Sequence, residues 1–162
     1  MIKIVGVILF MLATPACNPI QPVINQEQSD KIQVFTCLTS QSECEVASEL
    51  GNFSIQFSGQ VEQGRIKTEL PFSIQLKFYE SKQVYQLKGV SSYLEGKDMF
   101  MGKIPVFFQL EKNVSNTMVA ETLLASCSEE IMTWRLWFQV DIVVAGDIQQ
   151  HSFFIDFDSQ RL

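Results

Sequence analysis

Histidine is nearly absent from this sequence, which has one, His151, in 162 residues. This scarcity excludes zinc sites built on two imidazoles and catalytic arrangements that need a second histidine. Positive charge is also scarce: 12 Lys and Arg stand against 18 Asp and Glu, a net charge of −6, with no basic cluster. A nucleic-acid-binding surface needs such a cluster, so we expect no nucleic-acid partner.

The motifs of common hydrolases are missing as well. The sequence has no Gly-x-Ser-x-Gly, no His-Glu-x-x-His and no glycine-rich phosphate loop. His151 opens the predicted last strand beside two glutamines, and we interpret it as a surface residue rather than a base. Asp156 and Asp158 flank Phe157, and we interpret them as a solvated face rather than a paired-carboxylate site. We therefore expect a protein that is not an enzyme.

The apolar run at the N-terminus is too short to span a bilayer as a helix, which needs about 20 residues. Ile4 to Ala13 follows a charged start at Lys3 and precedes the small residue Ala16 and then Cys17. This order is typical of a secretory signal peptide. We therefore expect a signal peptide at residues 1–16.

Residues 12–17 read Leu-Ala-Thr-Pro-Ala-Cys and resemble the lipobox of bacterial lipoproteins, with Thr14 where that motif usually has an aliphatic residue. The resemblance implies that Cys17 is lipidated and anchors the mature chain to a membrane. Ordinary cleavage that leaves Cys17 unmodified is the alternative. By resemblance to sorted lipoproteins, Asn18 favours the outer membrane over the inner one, with the protein facing the periplasm. Residues 17–30 are rich in Gln, Asn and Pro and read as a tether.

Alternation of apolar and polar residues predicts strands in the domain that follows, residues 31–162. The predicted strands are 53–58, 72–78, 104–110, 132–142 and 153–157, with weaker ones at 33–38, 84–90 and 118–124. No long helical period is present, and turn residues separate the strands. This pattern predicts an all-β domain, an immunoglobulin-like antiparallel β-sandwich of about seven to eight strands.

Three cysteines remain once Cys17 is set aside, so at most one pair forms within the chain. Cys37 and Cys44 are separated by six residues, and a loop that short between two strands brings its ends within disulfide reach. An exported domain lies in an oxidising compartment, so we expect a Cys37–Cys44 disulfide. In the alternative, Cys127 pairs with one of these two and leaves the other free.

If Cys127 is a free thiol outside the cytoplasm, it would be expected to bind a metal, to react with a redox partner or to be buried. Glu129 and Glu130 follow it and are expected to raise the pKa of its thiol by like-charge repulsion. The sequence also has no Cys-x-x-Cys motif. Both observations argue against a thiol oxidoreductase.

Methionines provide the other sulfur atoms near Cys127. Met99 and Met101 are two residues apart, so in an extended segment their side chains point the same way. Met132 follows Cys127 by five residues. Thiolate and thioether are soft ligands that select Cu(I), so these four residues form a candidate Cu(I) site. Methionine is also a common core residue, and packing against aromatic rings is the simpler alternative.

The order of these motifs resembles a group of small proteobacterial exported lipoproteins. The motifs are Cys-x6-Cys at 37–44, Gly-x-x-Met-x-Met-Gly at 96–102 and Cys-x4-Met-x-Trp at 127–134. That group is broadly similar to the YtkA-like and FixH-like periplasmic sandwich domains. The resemblance covers Cys37 to about Val140 and implies copper handling and cytochrome oxidase assembly. It implies a copper chaperone, such as a Sco-type protein, or an oxidase subunit as partner. Lys97 and Ser126 depart from the pattern.

Two hypotheses follow for this protein. In the first, a lipid-anchored periplasmic protein binds or passes on Cu(I) through Cys127, Met99, Met101 and Met132, by ligand exchange rather than catalysis. In the second, a metal-free structural or interaction lipoprotein uses an exposed sandwich edge, and the methionines belong to the core. Convergence of the sulfur atoms around Cys127 favours the first hypothesis.

Overall fold

A computed structural model describes residues 34–36, 43–59, 61–62, 64–80 and 85–162. These residues form twelve strands in two sheets, which confirms the predicted all-β sandwich. Within the same ranges, no helix is long and apolar enough to cross a bilayer. The predicted signal peptide at 1–16, the lipidation site Cys17 and the tether at 17–30 lie outside the described residues.

Seven strands form the first sheet and five form the second. In the first sheet, β4 (Val61–Glu62), β5 (Arg65–Lys67), β12 (Asp147–Gln160), β11 (Ile131–Val144), β7 (Gln86–Gly96) and β8 (Ile104–Phe107) lie in this order, and β1 (Val34–Thr36) also pairs with β12. The second sheet has the order β2 (Glu43–Ser48), β3 (Gly51–Gly59), β6 (Phe72–Tyr79), β10 (Thr117–Thr122) and β9 (Gln109–Leu110).

The hairpin of β11 and β12 is the scaffold of the first sheet. Its two strands pair without interruption from Ile131 opposite Gln160 to Val144 opposite Asp147. The connecting turn, Ala145-Gly146, has positive φ angles of 53° and 100°, as a tight two-residue hairpin turn requires. On the other side of β11, β7 ends where Gly96 faces Trp134. The scaffold therefore fixes the point at which the methionine-bearing segment begins.

The core lies between the sheets and is rich in aromatic rings. The apolar row predicted along β11 is buried at every position: Met132, Trp134, Leu136, Phe138, Val140 and Ile142. Rings from β3 meet rings from β12 across the core, with centroids 4.9 Å apart for Phe53 with Phe153 and for Phe57 with Phe157. Burial of such side chains supplies about 25 cal/mol per Å² of apolar surface, so this layer holds the two sheets together.

The observed sandwich differs from the prediction in strand number and direction. Two of the twelve strands, β4 and β5, have only two and three residues, too few for alternation to be visible in the sequence, and they were not predicted, whereas β1 lies within the weaker strand predicted at 33–38. β2 was not predicted either. The strand predicted at 104–110 is interrupted at Phe108, so β8 joins the first sheet and β9 the second. β1 and β5 pair parallel to β12, so the first sheet is mixed rather than antiparallel. The immunoglobulin-like assignment stays a prediction.

Candidate metal site

The free cysteine lies against the methionine-bearing segment. Met99 lies in the bend that follows β7, and Cys127 lies in the irregular segment between β10 and β11. The thiol of Cys127 donates a hydrogen bond to the thioether of Met99, with Sγ and Sδ 3.1 Å apart. Two sulfurs that each bind one ion at about 2.3 Å, the zinc–sulfur distance, lie at most about 4.6 Å apart. The separation of this pair therefore allows a shared ion.

The side chains of Met101 and Met132 both lie close to Gly96, the last residue of β7. A Cβ atom at Gly96 would collide with the carbonyl oxygen of Met99 and the methyl group of Met132, and would lie 3.4 Å from Cγ of Met101. Met132 is 9% exposed and Met101 is half-buried against the core. The space that glycine leaves free is thus the place where the side chains of Met101 and Met132 converge.

Met99 and Met101 do not take the orientation expected of an extended strand. Residues 97–99 form a bend, and Met99 is 37% exposed while Met101 packs against the core. The bend lets Met99 reach Cys127 and leaves Met101 beside Gly96. All four predicted ligands therefore lie around one short segment, and the thiol of Cys127 and the thioether of Met99 are in direct contact.

The thiol of Cys127 is more acidic than an ordinary one. The main chain at Glu129 and the hydroxyl of Ser128 hydrogen-bond to the sulfur and lower its pKa, which outweighs desolvation and the charge of Glu129. The expected rise of the pKa through Glu129 and Glu130 is therefore wrong, because hydrogen bonds to the thiolate exceed the repulsion between exposed like charges. A lowered pKa favours the thiolate, the form that binds metals.

Disulfide pairing is consistent with a free Cys127. Cys44 is disulfide-bonded, whereas Cys127 is a free cysteine. The alternative that pairs Cys127 is therefore wrong. Cys37 lies outside the described residues, so the Cys37–Cys44 pairing stays a prediction.

An ion triad stands beside the sulfur residues, and sequence reasoning missed it. Asp156 on β12 accepts two hydrogen bonds from the guanidinium of Arg135, at 2.8 and 3.0 Å, and the ammonium of Lys97 lies 3.0 Å from the same carboxylate. Asp156 is only 1% exposed. Its assignment to a solvated face is therefore wrong, because cross-strand partners cover a residue that alternation alone places outside the core. Cross-strand register, which brings Arg135 opposite Asp156, is not visible in the sequence.

Arg135 and Lys97 keep the buried carboxyl of Asp156 in its charged form. Burial alone would raise the pKa of this carboxyl, but hydrogen bonds from Arg135 and Lys97, together with their positive charges, lower the pKa below its ordinary value. The same carboxylate raises the pKa of Arg135. Asp156 and Arg135 are therefore both ionised at neutral pH.

Other features contribute little to a metal site. In the part of the chain that the structure describes, no group of three or more His, Cys, Asp or Glu side chains could hold a metal ion, so a site here depends on thioethers. His151 is half-buried, with its ring stacked 6.2 Å from that of Phe53. An open groove of about 550 Å³, lined in part by Tyr93, Lys103 and Trp137, includes none of the four sulfur residues.

Comparison with known proteins adds the fold but no function. No protein-family model matches the sequence, and no curated protein sequence matches it. The fold is similar to part of a DUF4785 family protein from Legionella pneumophila, with a TM-score of 0.54 and 15% identity over 70% of this chain and 29% of that one. This chain thus spans less than a third of that protein. A superoxide reductase (neelaredoxin) from Ignicoccus hospitalis has a TM-score of 0.42 and 7% identity over 68% of this chain and 80% of that one, too low to support an argument.

Proposed function

We propose that this protein is a lipid-anchored periplasmic protein that binds Cu(I) and passes it to a partner. The contact between Cys127 Sγ and Met99 Sδ, 3.1 Å, is the observation that carries the proposal. Met101 and Met132 converge on the neighbouring Gly96 and complete a set of one thiolate and three thioethers. Such soft ligands select Cu(I) over harder ions.

The chemistry of the site is ligand exchange. Cys127 loses its proton when it binds the ion, and its lowered pKa reduces the cost of that step. Met132 lies on the buried side and Met99 on the exposed side, so an incoming protein reaches Met99 first. A copper chaperone or an oxidase subunit with its own soft ligands would replace the exposed thioether before the thiolate.

Binding of Cu(I) is tested by anaerobic competition titration of the full chain in detergent. We expect one tightly bound ion in the wild type, no tight binding in Cys127→Ser, and binding about tenfold weaker or more in Met99→Leu, because each substitution removes one soft ligand. Phe100→Leu is the matched control, since Phe100 lies between the two methionines and is 96% exposed. Equal affinity in all four proteins would contradict the proposal.

Lipid anchoring is a second prediction, and it depends on the lipobox alone. In cells fed a labelled fatty acid, we expect the wild type to carry the label and to sediment with membranes. Cys17→Ser should carry no label and appear in the soluble fraction, since the acyl chains provide the anchor. Cys127→Ser should label like the wild type. An unlabelled wild type would support ordinary cleavage instead.

A metal-free interaction role is the second candidate function. β8 lies at one end of the first sheet, and Phe107 on it is 76% exposed, while Phe100 nearby in sequence is 96% exposed. Exposed large apolar side chains at a sheet edge are typical of surfaces that dock a partner. Failure of the wild type to bind Cu(I) would favour this candidate.

A further inference from the structure

Residues 97–103 connect β7 to β8 and carry both Met99 and Met101. We propose that Lys97 is a positioning residue, whose ion pair with Asp156 holds this segment so that Met99 reaches Cys127. The inference deepens the proposed function, because it names what sets the geometry of the Cu(I) ligands. It also gives a role to the lysine that departs from the motif.

Lys97 is attached to the scaffold hairpin at two points. Its ammonium lies 3.0 Å from Oδ2 of Asp156 on β12, and its main-chain N–H donates to the carbonyl of Thr133 on β11 at 3.0 Å. Met99 follows two residues later, with its carbonyl oxygen against Gly96. The two attachments therefore lie immediately before the turn that directs the thioether towards Cys127.

Asp156, to which the ammonium of Lys97 is paired, is itself held in place by Arg135. The guanidinium of Arg135 binds both oxygens of Asp156 and lies 3.9 Å from the ring centre of Phe154. A bidentate pair of this kind sets the orientation of a carboxylate as well as its charge. The side chain of Lys97 is 40% exposed, whereas that of Asp156 is 1% exposed. Lys97 is thus the member of the triad that can be replaced without opening the core.

A cation that merely stands near the site would act differently. It would repel Cu(I), so its removal would leave the affinity unchanged or raise it. Removal of a residue that positions a metal ligand must instead lower the affinity for Cu(I). Only the positioning role therefore predicts that the substitution weakens Cu(I) binding.

The test compares Lys97→Gln with Lys97→Arg, which keeps the ion pair, and with Lys103→Gln. Lys103 lies in the same segment, but its ammonium stands 4.1 Å over the ring of Tyr93. In anaerobic Cu(I) titration of the full chain, we expect Lys97→Gln to bind about 10- to 100-fold more weakly, as for other residues that orient metal ligands. Lys97→Arg and Lys103→Gln should bind like the wild type.

A metal-free readout separates this inference from copper binding. Alkylation at the peptide containing Cys127 should be faster in Lys97→Gln than in wild type, because Met99 would no longer cover the sulfur. Thermal unfolding should confirm that the variants are folded. Unchanged alkylation in Lys97→Gln would overturn the proposal. A Cu(I) affinity that rises in Lys97→Gln, or that falls equally in Lys97→Gln and Lys103→Gln, would also overturn it. If the wild type binds no Cu(I), the proposed function fails while alkylation still decides whether Lys97 positions Met99.

Discussion

Asp156→Asn is expected to lower the free energy of unfolding at neutral pH by about 2 to 3 kcal/mol. Removing one partner of a fully buried ion pair costs about 3 to 5 kcal/mol, because a charge is left without a counter-charge. Here Arg135 and Lys97 keep some contact with water, with side chains 24% and 40% exposed, which reduces the cost. Chemical denaturation at pH 7 measures the difference between wild type and variant.

Asp158→Asn is the matched control for this substitution. Asp158 lies two residues further on the same strand and accepts a hydrogen bond from the hydroxyl of Thr133 at 2.8 Å. Asparagine keeps an oxygen that can accept this bond, so the substitution should cost at most about 1 kcal/mol, the value of one side-chain hydrogen bond. Equal losses in the two variants would show that the triad adds nothing beyond a hydrogen bond.

The effect of Asp156 should also depend on pH with a defined sign. Its pKa in the folded protein is lowered, so its stabilising contribution is complete above the ordinary carboxyl pKa of about 3.9 and is lost as the pH falls through the folded value. Asp156→Asn has no such group. The stability difference between wild type and variant should therefore be constant from pH 7 to about 5 and shrink below pH 4. A difference that grows on acidification would contradict this assignment.

Much of the core could be predicted from the sequence because the side chains of a strand alternate between its two faces. The even-numbered residues of β11, from Met132 to Ile142, were assigned to one buried face, and all of them are buried. The same rule assigns Asp156 to the opposite face and to water, which is wrong. On the face of a sheet that points away from the core, burial of a residue depends on which residue of the neighbouring strand is paired with it. That pairing is set by the register of the two strands.

The sulfur residues could be named from their chemistry, but their arrangement could not be predicted. Spacing within an extended segment led to the expectation that Met99 and Met101 point together. The chain instead bends at 97–99, where Lys97 reaches Asp156 from a part of the sequence nearly 60 residues away. Hydrogen bonds of the main chain at Glu129 to Cys127 are also set by local conformation, so charge counting alone gave the wrong direction for the thiol pKa.

Gly96→Ala is expected to disrupt the fold and the candidate site together. The added Cβ would collide with the carbonyl oxygen of Met99, a main-chain atom that cannot rotate away, and with the methyl group of Met132. Overpacking of this kind costs about 1 to 3 kcal/mol. Relief requires the segment after β7 to move, which takes Met99 away from Cys127 and should abolish tight Cu(I) binding.

Gly89→Ala separates this collision from the general effect of replacing a glycine in β7. A Cβ at Gly89 would lie 3.4 Å from a carboxylate oxygen of Asp141, an ordinary contact with a side chain, and neither glycine has a positive φ angle. Alanine also restricts the unfolded chain, so Gly89→Ala should be neutral or slightly stabilising in chemical denaturation. Alkylation of Cys127 should be faster in Gly96→Ala and unchanged in Gly89→Ala. Gly96 bears no ligand atom. Loss of Cu(I) binding in Gly96→Ala but not in Gly89→Ala would therefore mean that the site depends on the close approach of the chain at Gly96 as well as on the four sulfur side chains.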